Sequence, residues 1–187
     1  ASIIITMDPV TASNFVIPEV VTSHFHLKDG DTIADFGAGS GYFLRALSLR
    51  VASGKVYACE IQKSLIEKIS EQARSQHLSN IYPLWCDLEE SGGVPIKDGS
   101  LDVGILVNTL FQLEDKQAAC AEMYRVIRTG GRLMIIDWTD SYGGMGPAPD
   151  HVCTESAAKH IFENCGFVLE HTYPAGEHHY GLAFRKV

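Results

Sequence analysis

The sequence predicts one α/β domain: a doubly wound sheet of seven strands, mostly parallel, closed by an antiparallel C-terminal strand hairpin. Short apolar runs alternate with amphipathic stretches of helical period through most of the 187 residues. The run Leu101–Val107 is almost continuously apolar, as a central strand covered on both faces must be. The last two strand-like runs lie on either side of Pro174-Ala175-Gly176, a turn across which they pair as a hairpin.

Each element follows from local pattern. A first helix is predicted after Pro18, with Val20, Val21 and Phe25 inward, and Lys28-Asp29-Gly30-Asp31 is a turn. Strand one covers Thr32 to Phe36 and the first crossover helix Gly41 to Val51, ended by Ser53-Gly54. Lys55 to Glu60 is strand two. Lys63 to His77 is a helix with Leu65, Ile66, Ile69 and Ala73 on one side, and Ile81 to Cys86 is strand three. Asp87 to Ser100 reads as loop. After strand four comes a helix from Glu114 to Arg128 with Ala119, Met123, Val126 and Ile127 inward. Thr129-Gly130-Gly131 ends that helix, and Arg132 to Trp138 is strand five. Thr139 to Val152, rich in Gly and Pro, is a long loop. The helix Thr154 to Cys165 buries Ala157, Ala158, Ile161, Phe162 and Cys165, and strands near Phe167–Thr172 and Tyr180–Lys186 complete the sheet.

Composition narrows the function. With 45% hydrophobic and 20% charged residues the chain is an ordinary globular one, long enough for a single core. No apolar run approaches the roughly 20 residues that span a bilayer, and Ile3-Ile4-Ile5 lacks both the length and the basic flank of a signal core. Fifteen basic against 23 acidic residues give a net charge of −8 without a basic cluster, which disfavours a nucleic acid partner. Five cysteines, odd in number, widely spaced and without a C-x-x-C pair, fit a reducing, cytoplasmic setting. Eight histidines include His24-Phe25-His26 and His178-His179, but neither pair has the spacing of a metal site, so no metal is expected.

Between strand one and its helix lies the richest stretch, Ala34-Asp35-Phe36-Gly37-Ala38-Gly39-Ser40-Gly41-Tyr42-Phe43. Glycines where a strand turns into a helix let a ligand approach bare backbone at the edge of a Rossmann-like sheet. A dinucleotide fingerprint would place its third glycine at position 42, where Tyr42 stands. The pattern is instead Asp35-x-Gly37-x-Gly39-x-Gly41, which resembles motif I of the class I S-adenosylmethionine-dependent methyltransferases. Three further segments line up in order: Glu60 ending strand two, Asp87 after strand three, and Thr129-Gly130-Gly131-Arg132-Leu133 before strand five. Together, from about Asp29 to Lys186, they resemble the small single-domain, type 11 or UbiE-like members of that family.

The resemblance implies S-adenosylmethionine as cofactor and S-adenosylhomocysteine as its product. It places the methionine end on the loop of Gly37, Ala38, Gly39 and Gly41, with Asp35 orienting that loop and assisting the ammonium group. Glu60 would accept from the ribose hydroxyls, Ile61 pack on adenine, Asp87 accept from the adenine amino group beside the Leu88 backbone, and Asn108 face the cofactor. Each has a plainer reading. Asp35 and Asp87 can be turn formers, Glu60 a solvated strand end, and Thr109 a helix cap.

Methyl transfer from a sulfonium is an in-line displacement with a neutral leaving group, so orientation and exclusion of water dominate, and a base is needed only if the acceptor loses a proton. The acceptor is accordingly less legible than the donor. Asn108-Thr109-Leu110-Phe111 lacks the prolines expected of enzymes that methylate exocyclic base nitrogens, and there is no Pro-Cys dipeptide for cytosine C5 chemistry. A small-molecule acceptor is expected, with a protein side chain as the alternative. Phe15, Thr109, Phe111, Trp138 and Tyr142 are the candidate pocket residues, and His151 is the candidate base because an imidazole titrates near neutrality. Residues 1–28 are expected to form part of a substrate lid over the cofactor-binding core at 29–187, in a monomer or homodimer with no membrane partner. Two rivals remain: a module that binds the cofactor without turnover, and a nicotinamide-dependent oxidoreductase, against which the Gly41 spacing and the final hairpin weigh.

Overall fold

Apolar runs rich in β-branched and aromatic residues become strands, and the computed structural model, which describes residues 16–187, joins them into one seven-stranded sheet. The strands are β1 (Thr32–Phe36), β2 (Lys55–Glu60), β3 (Ile81–Trp85), β4 (Leu101–Val107), β5 (Ile127–Trp138), β6 (Phe167–Pro174) and β7 (His179–Lys186). Their order is β3-β2-β1-β4-β5-β7-β6. Neighbours from β3 to β5 pair parallel, and β7 runs antiparallel to both β5 and β6. From β1 the chain steps outward through β2 to β3 and then returns to β4 on the other side. The switch point therefore lies between β1 and β4, where sheets of this kind open a ligand crevice beyond the strands' carboxyl ends.

The helices are α1 (Pro18–Val21), α2 (Leu44–Arg50), α3 (Lys63–Ser75), α4 (Lys116–Val126) and α5 (Glu155–Asn164). Side chains of Asp115 and Thr154 cap α4 and α5 by accepting from the Ala118 and Ala157 amides at 2.9 and 3.2 Å. Two cores lie on opposite faces of the sheet. Leu47 of α2 and Ile69 of α3 join Ile33, Val56, Ile105 and Met134 on one. Met123 of α4 and Phe162 of α5 join Phe36, Leu133 and Phe184 on the other. Gly104 in β4 belongs to this packing, because a Cβ there would stand 2.7 Å from the Phe36 ring.

Several boundaries differ from expectation, each for a local reason. The first crossover helix starts at Leu44 rather than Gly41, since Gly41 takes φ +82°, outside the helical region. Beyond α1 a 3-10 turn (Thr22–Phe25) changes the phase, which buries Val21 and Phe25 but leaves Val20 56% exposed. Helix α4 ends at Val126, and β5 begins at once, with Ile127 pairing with Leu101 before a register shift. Thr129-Gly130-Gly131 thus sits inside β5 at an irregularity, not between helix and strand; Gly130 has φ +76° and a Cβ on Gly131 would meet Ile127 at 2.7 Å. Ala157 is exposed, in contrast to its predicted burial.

The loop between β3 and β4 is irregular but not loose. Glu122 of α4, buried, accepts from the Gly92 and Val94 amides at 2.9 and 3.2 Å and pairs with Arg125 at 2.7 Å. Arg125 in turn donates to the Val94 and Ile96 carbonyls at 2.8 and 3.1 Å. This staple fixes the segment that begins with Asp87 and Leu88.

Candidate functional site

Beyond the end of β1 the three glycines take φ +75°, +57° and +82°, yet they are glycine for different reasons. A Cβ on Gly37 would lie 2.7 Å from the Thr109 side chain, and one on Gly41 would lie 3.0 and 3.1 Å from Gln72 and Leu44. Packing requires the first, and the left-handed backbone together with a tight but yielding contact favours the second. A Cβ on Gly39 would meet only the Gly37 carbonyl, at 3.9 Å, so this glycine borders open space. The backbone surface left bare for a ligand is therefore at Gly39.

Two carboxylates stand beside it. Glu60, buried at the end of β2, accepts from the Gly39 amide at 2.9 Å and from the Gln62 amide at 2.9 Å. Asp35, on β1, is also buried; desolvation, reinforced by the neighbouring Glu60 charge, raises its carboxyl to about 7. Neither forms an ion pair with a side chain of the described residues. Two like charges without a cation, next to an open stretch of backbone, suit a positively charged ligand that carries hydrogen-bond donors.

Asp87, half-buried after β3, accepts from the Glu89 amide through Oδ1 at 3.0 Å, while Oδ2 has no donor among the described residues. The turn-forming reading and a ligand-facing one thus use different oxygens of one side chain. Ile61 is 51% exposed above the end of β2, and Leu88 is buried. Beneath them Cys59 and Cys86 touch, and their hydrogen bond together with burial pushes the Cys59 thiol well up, so the floor stays uncharged.

On the far side of β1 the chain leaves β4 through Asn108, whose φ of +51° turns it sharply. Its amide donates to the Ile136 carbonyl at 2.8 Å, and its side-chain Oδ1 is buried without a donor among the described residues. Thr109 donates to the Val107 carbonyl at 2.9 Å and packs against Gly37. Phe111 lies in a 3-10 turn (Leu110–Gln112) that Asp137 holds: its carboxylate accepts from the Phe111 and Trp138 amides at 3.3 and 2.8 Å. Asp137 is fully buried, and burial, against these amide bonds, raises its carboxyl to about 7. The sequence alone groups Asp137 with the loop that follows it; its place at the end of a buried strand is the one signal of its role.

The loop after β5 departs most from expectation. Trp138 does not face outward: it is 1% exposed, has the His179 ring 4.2 Å away, and lies so close to Gly146 that a Cβ there would come within 2.7 Å. Tyr142, by contrast, is 47% exposed and stacks on His178 at 3.9 Å. His178 faces the Asp140 carboxylate at 2.8 Å, a pairing over 38 residues that no local pattern reveals. The His151 side chain is 70% exposed in a 3-10 turn (Pro149–His151), 3.9 Å from Asp150. Phe15 and the first half of the expected lid lie outside the described residues. The structure therefore brings Asp35, Gly37, Ala38, Gly39, Glu60 and Thr109 to one end of the β1/β4 crevice, and leaves His151 on the outer surface.

A crevice at the switch point of a doubly wound sheet, lined by glycine backbone and paired carboxylates, defines a nucleoside-binding α/β protein. Comparison with known proteins makes the class specific. A family model described as a methyltransferase domain matches residues 34–135, more than half of the chain, and the chain belongs to that family. It is 29% identical over 126 residues to the ubiquinone/menaquinone biosynthesis C-methyltransferase UbiE of Neisseria meningitidis, an alignment covering 67% of this chain and 50% of that protein. It is 31% identical over 129 residues to an arsenite methyltransferase of Halobacterium salinarum, covering 67% of this chain and 31% of that protein. The chain thus spans about half the length of the UbiE relatives. A crystal structure of a SAM-dependent methyltransferase from Aquifex aeolicus superposes with a TM-score of 0.87 at 27% identity, covering 97% of this chain and 100% of that one. The [4+2]-cyclase SpnF shares the fold, with a TM-score of 0.78 at 15% identity over 91% of this chain and 79% of that one, so the architecture alone does not decide the chemistry. No helix among the described residues is long and apolar enough to cross a membrane.

Proposed function

We propose that this chain transfers the methyl group of S-adenosylmethionine to a small-molecule acceptor. The observation that carries the reading is the pair of buried, cation-free carboxylates, Asp35 and Glu60, beside the open backbone of Gly39. S-adenosylmethionine bears an ammonium group, a sulfonium and a ribose diol, the charges and donors that this pair lacks, and its sulfonium supplies an activated methyl group.

In this reading Glu60 takes the ribose hydroxyls, Asp35 acts on the ammonium group through the glycine loop, and Ile61, Asp87 and the Leu88 backbone receive adenine. Asn108 and Thr109 border the methyl end. Phe111 and Tyr142 border the acceptor side, while Trp138, covered by the loop at Gly146, supports that loop rather than lining the pocket. His151, exposed on the outer surface, is not placed to take a proton from an acceptor in the crevice. Alignment and exclusion of water carry most of the rate, since the leaving group needs no acid.

The relatives named for quinone and arsenite methylation support a small acceptor. The test is incubation with methyl-labelled S-adenosylmethionine and either a protein-free metabolite extract or a metabolite-free protein extract. Label in the small-molecule fraction is expected; label confined to protein side chains would replace the acceptor class, and label in neither would favour a binding module.

Substitutions at the glycines separate binding from packing. Gly39→Ala keeps most of the fold's stability, losing about 1 kcal/mol for the left-handed backbone, but abolishes measurable S-adenosylhomocysteine binding. Gly37→Ala, which drives a methyl into Thr109, lowers stability further; urea unfolding and calorimetry read the contrast. His151→Ala changes the rate of methyl transfer by less than about twofold at unchanged S-adenosylhomocysteine affinity, since the side chain lies on the outer surface, and a loss of about a hundredfold would return it to the mechanism as the base.

A further inference from the structure

We propose that Trp85 is a positioning residue for the nucleoside half of the cofactor, acting by holding Ile61 against the adenine ring. The inference rests on the functional reading above and goes beyond it. Trp85 is the last residue of β3, an edge strand, and its register partner is Glu60. A tryptophan on a strand end, 48% exposed, has no burial to explain it. Its indole N–H has a defined partner nonetheless: Nε1 donates to the Ile61 carbonyl at 2.8 Å.

That bond lies just past the ladder, where the Cys86 amide donates to the Glu60 carbonyl at 3.1 Å. The two bonds zip β2 to β3 through the residues that would read adenosine. The Glu60 carboxylate belongs to the same turn and is fixed by the Gly39 and Gln62 amides, each at 2.9 Å. Ile61 is the one residue of this turn whose side chain is left 51% exposed, beside an indole that is equally uncovered. Without the indole bond the Ile61 carbonyl would turn to water, and the turn that aims Ile61 would gain freedom that nucleoside binding must then remove.

The geometry also provides its own reporter. The chain has two tryptophans, and the other, Trp138, is buried against His179 at the opposite side of the crevice. The expected result is that S-adenosylhomocysteine and 5′-methylthioadenosine, which lacks the amino-acid part, both alter Trp85 emission in Trp138→Phe protein. Trp85→Phe keeps an aromatic ring but no donor, and weakens both ligands by the same factor, about fivefold. In Ile61→Ala protein the same change has little further effect, because the two residues act as one unit.

Unchanged affinity of Trp85→Phe for both ligands would overturn the proposal, as would losses that add independently to those of Ile61→Ala. A loss seen with S-adenosylhomocysteine but not with 5′-methylthioadenosine would also overturn it. The coupling between the two positions separates positioning from a general loss of stability, which thermal unfolding reads in parallel. Wild-type protein that binds neither ligand would overturn the cofactor reading itself, an outcome distinct from a tight wild type with an unaffected Trp85→Phe.

Discussion

Glu60→Ala weakens S-adenosylhomocysteine binding by a hundredfold or more while the protein stays folded. Two charge-assisted hydrogen bonds from the ribose diol, at roughly 1.5–3 kcal/mol each, account for that size. The loss is compounded because Glu60 also accepts from the Gly39 amide at 2.9 Å, so its removal frees the very backbone that a ligand approaches. Stability falls by about 1–3 kcal/mol, because the Gly39 and Gln62 amides lose their acceptor, and relief of the repulsion of Asp35 offsets part of that loss. Glu60→Gln keeps the shape and some of the acceptor capacity and lies between the two. Isothermal titration together with thermal unfolding measures both effects, and wild-type affinity in Glu60→Ala would place the ribose elsewhere.

Asp35 links binding to pH. Its folded carboxyl is raised to about 7 by burial and by Glu60, from 3.8 in an unfolded chain. The folded state therefore holds the proton more tightly, and stability is present below the unfolded value and falls as pH rises from about 4 to about 7. The shift corresponds to about 4 kcal/mol as an order of magnitude. Asp35→Asn removes this term, so the variant is more stable than wild type at pH 8 and equal to it near pH 4. It is also expected to bind S-adenosylmethionine more weakly at pH 8, because on the proposed reading it lacks the carboxylate that would act on the cation. For wild type, a cationic ligand favours the ionised carboxyl, so affinity rises up to tenfold per pH unit below 7 and binding there releases a proton. Titrations in buffers of differing ionisation enthalpy detect that release; pH-independent affinity from 5.5 to 8 would remove Asp35 from contact with the ligand's charge.

Which of these features are legible in the sequence depends on how locally they are encoded. Apolar runs such as Leu101–Val107 and the hairpin across Pro174-Ala175-Gly176 carry their period in adjacent residues, and both form as read. The glycine spacing marks the crevice, but it cannot say what each glycine is for. Gly37 is set by Thr109, which lies far along the chain on the neighbouring strand's exit. The Gly130-Gly131 pair reads as a helix stop, because the ladder that continues through it depends on Leu101 of a different strand. At Trp138 the Gly-rich sequence that follows suggests an aromatic facing a pocket, yet that loop folds back through Gly146 and covers it. The ionisation of Asp35 and Asp137 is invisible in the sequence, since burial is a property of the assembled sheet and not of the residues beside them.

The most direct test of the central claim is calorimetric titration of the wild-type chain with S-adenosylmethionine, S-adenosylhomocysteine and NAD in parallel at pH 8. Saturable one-to-one binding of the first two, with none of NAD, is the predicted result. Binding of NAD alone, or of none of the three, would contradict it.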